Sequence, residues 1–177
     1  MLSVLLKYNK DKELADALFA EGFILQNGKW VFMDGLHILL SIESATDEEA
    51  TIGFPGDLPM NRFKKVHDKL INLADHLEAE IDDSQSLLGY LANGDGAYIV
   101  TNWTEWIIFL QEAKLRTLEG KKVRVLDEKE TELGNGLYVS SETESTTGNI
   151  TSCTIITMFG EKTYTSNTLI IEPTNEW

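Results

Sequence analysis

"FILQNGKWVFMDGLHILLSIE" occupies residues 23–43, and how it folds decides the architecture of the first half of the chain. Asn27-Gly28 and Asp34-Gly35 each stand between apolar runs. Both dipeptides suit the positive φ angles that type I′ hairpin turns demand. The stretch is therefore predicted to be a three-stranded meander.

Upstream, Leu2, Val4, Leu6 and Tyr8 alternate on one side of a first strand. "DKELADALFAEG" follows, with Leu14, Ala17 and Leu18 at helical spacing and Gly22 as its stop. Downstream, "SATDEEA" is polar punctuation and "TIGF" a short strand. The clearest helix is "GDLPMNRFKKVHDKLINLADHL", where Phe63, Val66, Leu70, Leu73 and Leu77 repeat at steps of three and four. "EAEIDD" then alternates like a strand, Ser84 is placed to cap a short helix through Leu91, and "ANGDG" turns the chain into the strand "AYIVT". Asn102 with Glu105 fits a capping box. The helix behind it carries Trp103, Trp106, Ile107, Leu110, Ala113 and Leu118 on one broad side, and Gly120 ends it.

Beyond Gly120 only strands and turns are legible: "KKVRVL", "LYVSSET", "TSCTIITMF", "TYTS" and "TLIIEP". Five short strands in so few residues suggest a small SH3-like barrel. The glycines of "GNG", Gly134 and Gly136, read as turn residues. The predicted organisation is two domains, residues 1–118 and 119–177. The first is an α+β domain whose antiparallel or mixed sheet carries three to four packed helices, with room for a split β-α-β arrangement. The second is the all-β barrel.

The net charge of −14 is the most unusual global property. It is spread over both parts: residues 1–118 carry 10 basic and 19 acidic side chains, and residues 119–177 carry 5 and 10. Such a field opposes nucleic acid and anionic membrane surfaces and favours basic proteins. The apolar runs "WIIFL" and "LHILLSI" are too short to span a membrane. The opening "MLSVLLKYNK" lacks the basic start and cleavage site of a signal peptide. One cysteine, Cys153, has no partner for an internal disulfide, so a reducing, cytoplasmic location is expected.

The densest group of chemistry-bearing residues is "HLEAEIDDSQS". On a strand, Glu78, Glu80 and Asp82 point one way, while Ala79, Ile81 and Asp83 point the other. Successive carboxylates on one strand face are about 7 Å apart. One divalent ion would need further ligands, such as Asp95 or Asp57. A solvated or partner-facing strand is the simpler reading, with no metal site. His67 and His76 lie on opposite sides of the predicted helix, and no nucleophile elbow, phosphate-binding loop or dinucleotide fingerprint is present, so no catalytic residue and no cofactor are expected. Asp57 with Glu119-Gly120-Lys121 imitates a nuclease motif, but the charge would repel nucleic acid.

Three classes of function remain. The leading expectation is a non-enzymatic acidic protein that docks on a basic protein partner, in the manner of an inhibitor, immunity protein or adaptor. Glu48, Glu49, Glu78, Glu80, Asp82, Asp83 and the terminal Trp177 are its candidate contacts. The alternative is a small metal-dependent hydrolase using Glu78, Glu80, Asp82 and Asp95. The third is a small-molecule-binding domain with an apolar pocket lined by Trp103 or Trp106.

Overall fold

The computed structural model describes residues 1–144 and 146–174. Two compact units divide the chain, Met1–Trp103 and Thr104–Trp177.

The meander forms the outer half of the first unit's sheet. Its strands are β2 (Ile24–Gln26), β3 (Lys29–Asp34) and β4 (His37–Ala45). Gln26 pairs with Lys29 across a loop in which Asn27 and Gly28 both have positive φ (52° and 81°), as a type I′ turn requires. The second turn is shifted by one residue. Asp34 pairs with His37, so the loop is Gly35-Leu36, and of these Gly35 alone has positive φ. That is the φ pattern of a type II′ turn.

The remaining strands are β1 (Leu2–Lys7), β5 (Glu49–Phe54) and β6 (Glu80–Asp82), and the order across the sheet is β2-β3-β4-β5-β1-β6. Every neighbouring pair is antiparallel. Because β5 and β6 both run antiparallel to β1, they are parallel to each other with β1 between them. The helix α2 (Met60–Leu77) joins β5 to β6, which makes this a split β-α-β unit. The short α1 (Leu14–Ala20) follows β1 and lies against α2.

Burial explains why these segments adopt these forms. Val4, Ile42 and Ile52 stand abreast on three strands and are all buried, as are Phe63, Val66, Leu70, Leu73 and Leu77 along one stripe of α2. Each such side chain contributes about 1.5–3 kcal/mol when fully removed from water, so the stripe outweighs helix propensity in holding α2. At the C-terminal end of α1, Glu21 accepts hydrogen bonds from Lys69 (2.8 Å) and contacts His76 (3.0 Å), both on α2. Burial raises the Glu21 pKa, but Lys69 and His76 outweigh it and hold the carboxyl below its ordinary value.

Predicted helix content was too high. The described residues are 44% strand and 23% helix, with three helices in all, so the chain is mostly β and the sheet is not covered by three to four helices. The missing helix is the one predicted from Ser84 to Leu91. There the chain instead makes turns and enters a two-stranded arm, β7 (Gly89–Tyr90) and β8 (Gly96–Ala97). The Ser86 hydroxyl engages the backbone in this region, donating to the Asp83 carbonyl and accepting from the Ile99 N–H, and such local bonds compete with helix. The predicted strand "AYIVT" shrinks to the end of β8 for the same reason: Val100 and Thr101 donate to Asp83 and not to a neighbouring strand. Asn102 has φ 58° and its side-chain amide donates to the Gly96 carbonyl, a role different from the predicted cap.

In the second unit, α3 (Trp103–Arg116) precedes β9 (Lys122–Leu126), β10 (Glu132–Thr143), β11 (Ile150–Thr157) and β12 (Gly160–Pro173). Four strands, two of them long, close into a barrel where five short ones were predicted. Its core gathers Val123, Val125, Tyr138, Cys153, Ile155, Leu169 and Ile171, with Leu115 and Leu118 joining from the α3 side. Gly134 and Gly136 are not turn residues: both lie inside β10 without positive φ. A β-carbon on Gly136 would sit 2.3 Å from the Ile156 carbonyl oxygen, and one on Gly134 would sit 2.0 Å from the Tyr164 hydroxyl. At Gly136 the neighbouring backbone approaches too closely for any side chain, whereas at Gly134 the space is taken by the end of the Tyr164 side chain.

Two outcomes follow from these contacts. Gly136→Ala forces backbone apart and is expected to destabilise the barrel by about 2–3 kcal/mol, read from urea unfolding. Glu21→Gln is expected to cost about 1 kcal/mol at neutral pH, after allowing for solvent screening. Since the folded Glu21 pKa is depressed, its stabilisation exists above the unfolded value and vanishes as pH falls through the folded one. The wild-type and variant unfolding curves should therefore converge in acid.

Candidate functional site

One end of the first sheet is built by β1. Its last residue, Lys7, pairs with Glu49 of β5 on one side and Glu80 of β6 on the other. Residues directly opposite in antiparallel strands share a face, with Cβ atoms about 4.5–5.5 Å apart. Glu49, Lys7 and Glu80 thus form a cross-strand row, and one turn of strand away Leu5 stands opposite Asp82. Two acidic segments that are remote in sequence become neighbours through a strand that carries a lysine between them.

The β4–β5 turn holds its carboxylates outward. Tyr8 anchors it twice, donating from its backbone N–H to the Glu48 carbonyl and from its hydroxyl to the Thr46 carbonyl, both at 2.8 Å. Thr46 Oγ1 in turn accepts from the N–H groups of Glu48 and Glu49. Asp47, Glu48 and Glu49 are left exposed. Burial raises the Tyr8 hydroxyl pKa, and the nearby Asp47 and Glu49 carboxylates raise it further.

The "EAEIDD" segment is only partly the alternating strand expected of it. Glu78 is not on the strand: it caps α2 in the left-handed region at φ 50° and pairs with Lys12. Glu80 and Asp82 are exposed on β6. Asp82 accepts from the Ser84 N–H, and this hydrogen bonding, helped by the charge of Lys7, lowers its pKa. Asp83 is 7% exposed. Its Oδ2 accepts from the N–H groups of Val100 (2.8 Å) and Thr101 (2.7 Å), and its Oδ1 from the Thr101 hydroxyl (2.9 Å). Its backbone carbonyl accepts from Ser86, whose hydroxyl oxygen accepts from Ile99 N–H. Asp83 is therefore a buried knot tying the 83–101 excursion closed, with no surface to offer a partner. Trp177 lies outside the described residues.

The hydrolase set does not assemble. Glu78 is engaged by Lys12, and Asp95 belongs to the turn of the β7–β8 arm, where its N–H and carboxylate are bonded to Asn93. Among the described residues no three His, Cys, Asp or Glu side chains are grouped to hold one metal ion. Two of the three histidines are engaged locally. His67 Nδ1 donates to the Ile99 carbonyl at 2.7 Å while its ring stacks on Trp103, centroids 4.7 Å apart, and His76 contacts Glu21. Burial pushes the Cys153 thiol up to about 11, which removes it as a nucleophile at neutral pH. No described helix is long and apolar enough to cross a membrane.

Sequence reasoning missed an apolar feature of the second unit. The β11–β12 turn carries Met158 and Phe159, 90% and 92% exposed, beside a groove of about 840 Å³. Its lining includes the turn's own Met158, Phe159 and Glu161 together with Leu137, Ile156 and Tyr164, and neither Trp103 nor Trp106. The available signal was "TMFGEK": two large apolar residues at a turn, where polar ones are the rule.

The different standing of the carboxylates is measurable. Asp83→Ala strands two backbone N–H groups and should cost about 2–4 kcal/mol in thermal or urea unfolding. Glu80→Ala, on the exposed edge, should change stability by no more than about 0.5 kcal/mol. Compared with known proteins, the chain matches no family model, no curated protein and no solved structure.

Proposed function

We propose that this chain is a non-enzymatic protein-binding protein that docks on a basic partner through the acidic end of its first sheet, as an inhibitor, immunity-type protein or adaptor does. The observation that carries the reading is the cross-strand row Glu49–Lys7–Glu80, which draws two acidic segments to one exposed edge. Around it Asp47, Glu48 and Asp82 add carboxylates, and the turn that bears Glu48 and Glu49 is fixed by Tyr8. A fixed turn backbone lowers the ordering cost of docking, and a net charge of −14 accelerates encounter with a cationic surface. Lys7 within the row gives the surface a sign pattern, and such a pattern selects orientation. The same negative field turns away nucleic acid and anionic lipid. A cytoplasmic setting belongs to this proposal, consistent with a single buried thiol.

Capture of partners from the native host by the immobilised chain, with mass spectrometry of what is retained, tests the reading. The expected partner is a basic protein whose affinity falls about tenfold or more between low and moderate salt. The double charge reversal Glu49→Lys with Glu80→Lys should abolish capture while leaving the melting temperature within a few degrees. Capture that survives both salt and charge reversal would overturn the proposal.

A further inference from the structure

Asn-Gly occurs three times in the chain, at Asn27-Gly28, Asn93-Gly94 and Asn135-Gly136. In such a pair the glycine nitrogen can attack the asparagine side-chain carbonyl, because glycine has no Cβ to obstruct the approach. The reaction needs two things from the fold. The asparagine side chain must be free to swing over the next peptide bond, and the glycine N–H must not be committed to an acceptor.

Two of the three sites are closed on these grounds. The Asn93 side chain donates to the Asp95 carboxylate (2.7 Å) and accepts from the Asp95 N–H (3.0 Å), while the Gly94 N–H donates to the Leu91 carbonyl (3.0 Å). Asn135 donates to the Glu132 carboxylate (2.9 Å), and Gly136 sits inside β10, opposite Val123 and against the Ile156 carbonyl. The first site carries neither restraint: among the described residues the exposed Asn27 side chain and the Gly28 N–H have no hydrogen-bond partner. A β-carbon on Gly28 would meet nothing within 4 Å, so a ring formed there and the water that opens it have room.

We infer that Asn27 is a site of spontaneous deamidation, selected from the three by the fold. The Gly28 nitrogen bonds to Asn27 Cγ and gives up its proton. The Cγ–Nδ2 bond breaks and the amide leaves as ammonia, closing a five-membered succinimide. Water then opens the ring: attack at Cγ gives aspartate, and attack at the Asn27 main-chain carbonyl carbon gives isoaspartate, whose backbone runs through the β-carbon. In sum one water is consumed and one ammonia released, with no change of oxidation state. Either product adds a negative charge to a chain already at −14. Aspartate keeps the turn, since Asp visits the left-handed region as Asn does. Isoaspartate lengthens the two-residue loop between Gln26 and Lys29 by a methylene, which type I′ geometry does not accommodate. The element affected is β2, an outer strand of three residues, all exposed, so little apolar burial resists its release. It lies at the opposite side of the sheet from β6, and the acidic docking edge plays no part in the reaction.

Incubation of the full chain in mildly alkaline buffer, followed by peptide mapping with mass spectrometry, is the test. In the native protein Asn27 should convert about tenfold or more faster than Asn93 or Asn135, because those two must first break hydrogen bonds. In guanidinium chloride, where the restraints are gone, all three should convert at similar rates. Native conversion of Asn93 or Asn135 as fast as that of Asn27 overturns the inference. So does a native Asn27 that shows no conversion after the unfolded chain has lost it. An equal preference for Asn27 in denaturant also overturns it, since the cause would then lie in the neighbouring sequence and not in the fold.

Discussion

The pairing of β1 with both β5 and β6 is the constraint on which the first unit depends. The strand that begins the chain is inserted between two that lie much later in it, and both pairings are antiparallel. With β1 in place, Val4 and Leu6 complete the buried face that α2 covers, and β5 and β6 are held one strand apart at the span α2 can bridge. Such contacts close large loops before they return any stabilisation, so formation of this unit waits on a long-range encounter. The same insertion sets Lys7 between Glu49 and Glu80. Fold and candidate surface are therefore two consequences of one strand pairing.

Neighbouring carboxylates acquire opposite roles from their surroundings. Asp82 and Asp83 are adjacent in sequence and chemically identical. The strand's alternation turns Asp82 to solvent, where a serine and a lysine stabilise its charge, and turns Asp83 inward to three hydrogen-bond donors. An inward carboxylate is tolerable only because those donors meet it; without them its burial would cost several kcal/mol. This one side chain supplies the acceptors that a neighbouring strand would have offered to Val100 and Thr101. It also explains why the stretch has so little regular structure while remaining tied down.

Individual elements were legible from local signals, while the predicted helix cover of the sheet was not found. Asn27-Gly28 required positive φ and obtained it, the three-and-four spacing of Phe63 through Leu77 became a buried helical stripe, and the change of character after Gly120 marked a barrel. Local signals failed where a distant group intervened. Ser84 to Leu91 read as helix because Asp83's partners, Val100 and Thr101, are not visible as partners in sequence. Gly134 and Gly136 read as turns because close approach of Tyr164 and Ile156 leaves no mark on the residues between them.

By itself the sequence determined the negative charge, the Asn27-Gly28 turn, the long amphipathic helix and the strand-rich character of the chain after Gly120. These depend on side-chain chemistry and on spacings within a few residues, and both are written in order along the chain. Tertiary structure alone decided the strand order, which acids meet at Lys7, which one is buried, and that Met158 and Phe159 are left in water. Those outcomes depend on which distant backbone groups pair, and pairing partners far apart in the chain exert no local preference that a sequence could display.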